Sequence, residues 1–252
     1  MIKLKKEVDM TNHTLILPSV AFGNVGQLAV DLIISSLKLQ RIGYLVNNAF
    51  IPIIGADPYD EKSTDLCTTV DLFHGPEKKI VVLQIRSPLV KKPISFFTEL
   101  IQFITERKIK KVVILTSSYG HEQRDAQLRT VPLRYVASPS MLEECGNQFE
   151  NLNWIQLEPK VIDFINPREN LYIPGGGFAK SLIDTLASAT IPSVILLRFC
   201  SEGDNIPEAV ELTNYLNNWL NIIQKEESGT CKIKYPPSWK FLFGNPPPLE
   251  LY

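Results

Sequence analysis

Residues 15–37, LILPSVAFGNVGQLAVDLIISSL, decide the architecture. Leu15 to Val20 form an apolar run of strand length, Gly23 and Gly26 supply a tight turn, and Val25, Leu28, Ala29, Leu32, Ile33 and Leu37 recur at helical spacing. A strand that turns at once into a helix opens a βα unit. From Val20 to Leu37 the only charged residue is Asp31, so this helix has little polar surface to offer water. Two covers would satisfy it: the rest of its own domain, or a partner chain.

The pattern continues outward. Arg41–Val46 and Phe50–Ile54 read as strands, the second short, followed by a loop from Gly55 to Lys62. Asp65–Phe73 is weakly strand-like, and Lys79–Ile85 strongly so, its unbroken apolar run fitting a sheet buried on both faces. Pro93–Arg107 carries a helical face of Ile94, Phe97, Leu100, Ile101 and Ile104, and Val112–Thr116 is the next buried strand. Ser193–Phe199 is a further strand before a helix from Ile206 to Gln224, where Asn205 and Glu208 fit a capping box. Strands separated by helices need crossover connections, which predicts an α/β fold with a mostly parallel central sheet flanked by helices on both faces. With 252 residues and 44% hydrophobic content, a single domain over 1–224 is expected. Residues 225–252 differ in kind, being rich in proline and aromatics. Trp239, Phe241, Leu242 and Phe243 are expected to dock on the domain, and Pro246-Pro247-Pro248 to act as a stiff spacer in an extended C-terminal tail.

Composition narrows the function. Lys plus Arg (26) nearly cancels Asp plus Glu (27) without long runs of either, so no broad basic face for nucleic acid is expected. No apolar stretch is long enough for a membrane span, and the opening MIKLKKEVDM lacks the apolar core of a signal peptide. Cytoplasm and nucleus are the expected locations. Cys67, Cys145, Cys200 and Cys231 are widely spaced and expected to be free thiols. With three histidines and no ligand motif, neither a metal nor another cofactor is expected.

Three stretches invite comparison with catalytic or nucleotide sites. Pro174-Gly175-Gly176-Gly177-Phe178-Ala179-Lys180-Ser181 resembles a phosphate loop but has Pro174 and Ala179 where that pattern needs glycine. The acids of Ser201-Glu202-Gly203-Asp204-Asn205 are accounted for by helix capping and dipole stabilisation. Ser117, Ser118 and His121, with Asp125 nearby, follow a buried strand, where open α/β sheets bind ligands. A hydrolase or phosphorylase-like enzyme using Ser118 and His121 is therefore the alternative, although the strained G-x-S-x-G elbow is missing.

Five stretches in order are similar to the proteasome assembly chaperone 2 family: FGNVGQLAVDLIISSL (22–37), LRTVPLRYVASPSM (128–141), IPGGGFAKSL (173–182), SEGDNIPEAVELTNYLNNWL (201–220) and PPSWKFLFG (236–244). The resemblance implies a non-enzymatic chaperone. It would pair with proteasome assembly chaperone 1, and the heterodimer would bind core-proteasome α subunits, promote α-ring assembly and prevent wrong ring association. It makes the poorly charged helix a candidate heterodimer surface through Val25, Leu28, Leu32 and Ile33. In this family a terminal hydrophobic residue, tyrosine and any residue insert between α subunits. Leu251 and Tyr252 match the first two of these and are the candidate proteasome-binding residues. Self-association as a scaffold is a third reading of the apolar helix.

Overall fold

The computed structural model describes residues 2–123, 125–161 and 169–241. In chain order the first half contains β1 (Ile2–Leu4), β2 (Thr14–Pro18), α1 (Val25–Leu37), β3 (Gln40–Leu45), β4 (Ile54–Ala56), β5 (Leu66–Thr68), β6 (Val70–Gly75), β7 (Ile80–Ile85), α2 (Ile94–Glu106) and β8 (Lys111–Tyr119). The second half contains α3 (Asp125–Leu128), β9 (Leu133–Ala137), α4 (Pro139–Asn151), β10 (Ile155–Gln156), β11 (Lys160–Val161), β12 (Glu169–Asn170), α5 (Ala179–Ser188), β13 (Ser193–Cys200) and α6 (Ile206–Leu220).

Nine strands form one sheet in the order β1-β3-β6-β7-β2-β8-β13-β9-β10, while β4 pairs with β5 and β11 with β12 as separate ribbons. The sheet is mixed. Its centre, β7-β2-β8-β13, is parallel throughout, as the alternating pattern predicts. β1, β3 and β6 run antiparallel on one side, and β9 runs antiparallel to β13 on the other. The reason is local. β6 and β7 are joined by a short turn at 76–79 with Lys79 in a left-handed backbone, and such a hairpin can only connect antiparallel strands.

Successive residues of the central strands serve two cores, which is why these strands are apolar without alternation. Leu15, Leu17, Ile114, Ile195 and Leu197 pack with α2 and α5, while Ile16, Val113, Leu115, Val194 and Leu196 pack with α1, α4 and α6. Gly26 sets the closeness of α1 to the sheet, since a Cβ there would lie 2.3 Å from the Leu115 carbonyl oxygen. α4 starts at Ser138, whose hydroxyl accepts the Met141 N–H, and Pro139 takes the first helical position. The expected capping box at α6 does not form: the Asp204 carboxylate accepts the Ile206 N–H at 2.9 Å, and the Asn205 amide donates to Gly203.

At the end of the sheet where β2 begins, His13 and His74 are buried and stacked, with centroids 5.1 Å apart and Nε2 atoms 3.1 Å apart. His13 Nδ1 lies 3.0 Å from the Thr11 carbonyl, which can only accept. Nδ1 therefore carries the hydrogen, and His13 Nε2 accepts from His74 Nε2–H. Burial pushes the His74 pKa below its usual value, and His13 and Lys6 push the same way against Asp9. A histidine whose folded pKa is depressed takes up its proton first in the unfolded chain, so the stability it contributes is present above about pH 6.5 and lost as pH falls. Thermal unfolding is expected to show a lower Tm at pH 5.5 than at pH 7.5, and His74→Gln is expected to reduce that dependence. An unchanged pH dependence in the variant would assign the effect to other groups.

Candidate partner-binding surface

α1 is covered by its own domain. Val25, Leu32 and Ile33 have 0% exposure, packed between the sheet and α6, so none of them presents a surface to a partner, and Leu28 alone of the four is half-buried. The outer side is closed by the loop around Tyr59 and by the segment after α6, whose Lys234 N–H bonds to Ser36 Oγ.

The helix's single charge is neutralised within this cover. Asp31 Oδ1 lies 2.8 Å from an Arg86 nitrogen, and accepts from the Tyr59 hydroxyl and the Gln84 amide; Arg86 also donates to the Tyr59 oxygen at 2.9 Å. Burial, and then the Asp31 carboxylate, push the Tyr59 phenol well above its usual range, so it remains a donor.

The strand-end crevice where ligands bind in open α/β sheets is filled by residues 174–178. β8 runs on to Tyr119, so Ser117 and Ser118 lie inside a strand rather than on the loop expected from sequence. Ser118 donates to the Pro174 carbonyl at 2.7 Å, Ser117 to the Phe22 carbonyl, and Thr116 to the Gly176 carbonyl at 3.0 Å. Ser19 Oγ donates to the Gly176 carbonyl and accepts the Phe178 N–H. His121 is exposed and stacks on Tyr119, and the Asp125 side chain lies outside what the structure describes. The serine hydroxyls are thus committed to backbone carbonyls, and the hydrolase reading has no nucleophile. Nor does the glycine run cradle a phosphate. Gly177 has φ +62°, and a Cβ there would come within 2.1 Å of the Val20 carbonyl oxygen, so the loop needs glycine to pack against the segment that follows β2.

Among the described residues no cluster of His, Cys, Asp and Glu is placed to hold a metal, and no helix is long and apolar enough to cross a membrane. The four cysteines are free. Burial raises the thiol pKa of each, which keeps them protonated and unreactive.

The exposed large apolar side chains gather elsewhere. Val46, Ile51, Ile53 and Ile54 (71% exposed) lie on the segment leaving β3, and Val90 and Ile94 (68%) lie where the chain enters α2. The two segments adjoin. Phe50 bridges to Leu89, the Val90 N–H donates to the Ala49 carbonyl at 2.8 Å, and Ser95 donates to Asn47. Thr69 ties the strip to the sheet, donating to the Ile51 carbonyl and accepting the Ile53 N–H. Val20, Leu89 and Phe178 line an adjacent groove. The sequence predicts a short strand over Phe50–Ile54, but only Ile54 enters one; the isoleucines around Pro52, on a stretch too short to bury both faces, are the sequence signal for a surface.

After α6 the chain returns across the molecule. Cys231 is buried with its N–H on Asn214, the Ser238 N–H bonds to the Pro58 carbonyl at 3.3 Å, and Lys240 pairs with Glu61. Tyr235 and Trp239, 5.8 Å apart, line a groove of about 640 Å³ with Pro236, Pro237 and the loop at 59–62. Leu251 and Tyr252, with Leu242, Phe243 and the prolines 246–248, lie outside the described residues.

A closed α/β domain with a filled crevice and an exposed apolar strip has the features of a protein that binds other proteins. The chain belongs to the PAC2 family, which it matches over residues 15–223. It is 40% identical over 254 residues to proteasome assembly chaperone 2 of Mus musculus, covering 97% of this chain and 96% of that one. It is 42% identical over 243 residues to the protein of the same name from Danio rerio, covering 94% of each. In structure it is similar to PbaA of Pyrococcus furiosus, an archaeal homologue of proteasome-assembly chaperone, with TM-score 0.65 and 15% identity over 91% of this chain and 90% of that one. PbaB of the same organism, an archaeal proteasome activator, aligns with TM-score 0.64 and 12% identity over 91% of this chain and 92% of that one.

Removing one partner of a buried ion pair leaves the other charge uncompensated. Asp31→Ala is expected to cost about 3–5 kcal/mol in urea unfolding. Ser118→Ala, which removes a hydroxyl bonded to a backbone carbonyl, should cost about 1 kcal/mol. A D31A loss no larger than that of S118A would mean that water reaches the pair.

Proposed function

We propose that this chain is a proteasome assembly chaperone, acting by protein binding and without a cofactor. It pairs with proteasome assembly chaperone 1, and the heterodimer binds core-proteasome α subunits in the cytoplasm and nucleus, promotes α-ring assembly and prevents wrong ring association. Two relatives of about 40% identity over nearly the whole chain, both bearing the name of such a chaperone, support the class.

The observation that carries the pairing is the strip formed by Val46, Ile51, Ile53, Ile54, Val90 and Ile94, which, among the described residues, gathers most of the exposed large apolar side chains on two adjoining segments. A soluble protein leaves such a strip uncovered at the risk of aggregation, and a second chaperone of the same fold is the cover proposed here. On α1, Leu28 keeps partial access, whereas Val25, Leu32 and Ile33 contribute by holding the domain together. Ring binding is assigned to Leu251 and Tyr252: an apolar side chain and an aromatic ring give a short recognition element.

Co-expression with tagged proteasome assembly chaperone 1 tests both parts. Ile51→Asp with Ile94→Asp is expected to abolish co-purification while Tm falls by only a few degrees, because both side chains are exposed. Deleting Leu251 and Tyr252 should leave the pair intact and reduce recovery of α subunits. A double aspartate variant that still co-purifies would move the heterodimer surface elsewhere, and unchanged α-subunit recovery would remove the tail from ring binding.

A further inference from the structure

The fold assembles a group of lysines that is dispersed in the sequence. The Thr14 N–H bonds to the Lys79 carbonyl, the Asn12 N–H to the Lys108 carbonyl, and the Lys110 N–H to the His13 carbonyl, all at 2.9 Å. Lys38 and Lys78 line one cleft beside His74, and Lys6 acts electrostatically on the same histidine. Lys6, Lys38, Lys78, Lys79, Lys108 and Lys110 are all exposed, and they surround the N-terminal end of β2, at the opposite end of the sheet from the apolar strip. Lys110 is paired with Glu144, and nearby Arg107 with Glu7, which leaves five lysines against Asp9, Glu77 and Glu106.

The backbone singles out three of them. Lys38 (φ 50°), Lys79 (φ 49°) and Lys108 (φ 51°) adopt the left-handed conformation, whereas Asn12, Asn24, Asn153 and Asn221 fill four of the other five such non-glycine positions. Asparagine and glycine suit that conformation, and lysine occupies it at a steric cost. Strain of this kind, repeated at one end of the sheet, is where a function is to be sought. Helix C-termini also favour cations, which makes stabilising the fold the competing role for the same three lysines.

We propose that this lysine pole is a docking surface for an acidic segment of a partner protein, separate from the apolar strip. The cleft between Lys38 and Lys78, about 260 Å³ with Leu37, Leu39, Pro76 and Glu77 in its wall, can take an apolar side chain flanked by carboxylates that the neighbouring lysines attract. A nucleic acid fits less well: Arg107 is engaged by Glu7, no aromatic ring but the buried His74 lines the cleft, and Asp9 and Glu77 interrupt the positive field. Among the described residues no exposed large apolar side chain sits there to enter a bilayer.

The probe is a fluorescein-labelled peptide of alternating glutamate and leucine, titrated with the full chain by anisotropy. Single-stranded oligothymidylate and phosphatidylserine vesicles serve as the competing classes. The peptide should bind with an affinity that falls as salt rises, and Lys38→Gly, Lys79→Gly and Lys108→Gly together should weaken it roughly tenfold. Glycine suits the left-handed backbone, so Tm should hold or rise in this variant. Changing Lys91, Lys92 and Lys225 to glutamine removes the same charge elsewhere and should leave binding within about twofold. Undiminished peptide binding by the glycine variant, an equal loss in the glutamine control, or tighter binding of the oligonucleotide or vesicles would overturn the proposal. A fall in Tm in the glycine variant would assign these lysines to the fold and overturn it as well. None of these readouts involves proteasome assembly chaperone 1 or α subunits, so failure here leaves the proposed function standing.

Discussion

Asp31 is a carboxylate on a helix that otherwise buries itself, and it can be kept charged there only with a cation and donors beside it. Arg86 leaves the end of β7 to supply the charge, Gln84 the amide and Tyr59 the hydroxyl. This fixes more than one helix. The pair locks the rotation of α1 over the sheet, draws the loop at 57–62 onto the helix's outer side, and gives the segment after α6 a surface on which to lie. Gly26 supports the same arrangement from beneath, since any side chain there would lift α1 off β8.

A domain sealed in this way has little left with which to do chemistry. The crevice that many α/β enzymes keep open is occupied by Pro174–Phe178, and every hydroxyl on its floor from Thr116 to Ser118 is spent on a backbone carbonyl. What reaches solvent with binding potential is a strip of isoleucines and valines, an aromatic groove beside Trp239, and charge. These are means of recognition rather than reaction.

The central strands and α1, α2 and α6 were readable because their apolar periodicity is strong and their lengths are typical. α4, with its many polar residues, and α5, which follows the glycine run, were not read from periodicity, and the antiparallel flanks were missed although Gly75-Pro76 marks a turn, because the buried polar residues Asp71 and His74 weaken the apolar pattern of β6. An apolar helix does not state what covers it, and here the cover came from residues nearly thirty to two hundred positions away. The isoleucines at 51–54 are visible in the sequence but read there as a strand, and the lysine cluster has no sequence signal at all, because it exists only once separate turns meet at one end of the sheet.

The position of β13 between β8 and β9 has a consequence for how the chain is made. β8 is complete by residue 119 and β9 by 137, but the strand that joins them ends at residue 200. Until it emerges from the ribosome, β8 has one unpaired edge, and β9 with β10 is a fragment detached from the rest of the sheet. Contacts so distant in sequence slow folding, and an open apolar edge in the meantime invites pairing with another chain. A protein proposed to guard others during their assembly is therefore itself exposed during synthesis, and the interval between residues 137 and 193 is when it has most need of protection.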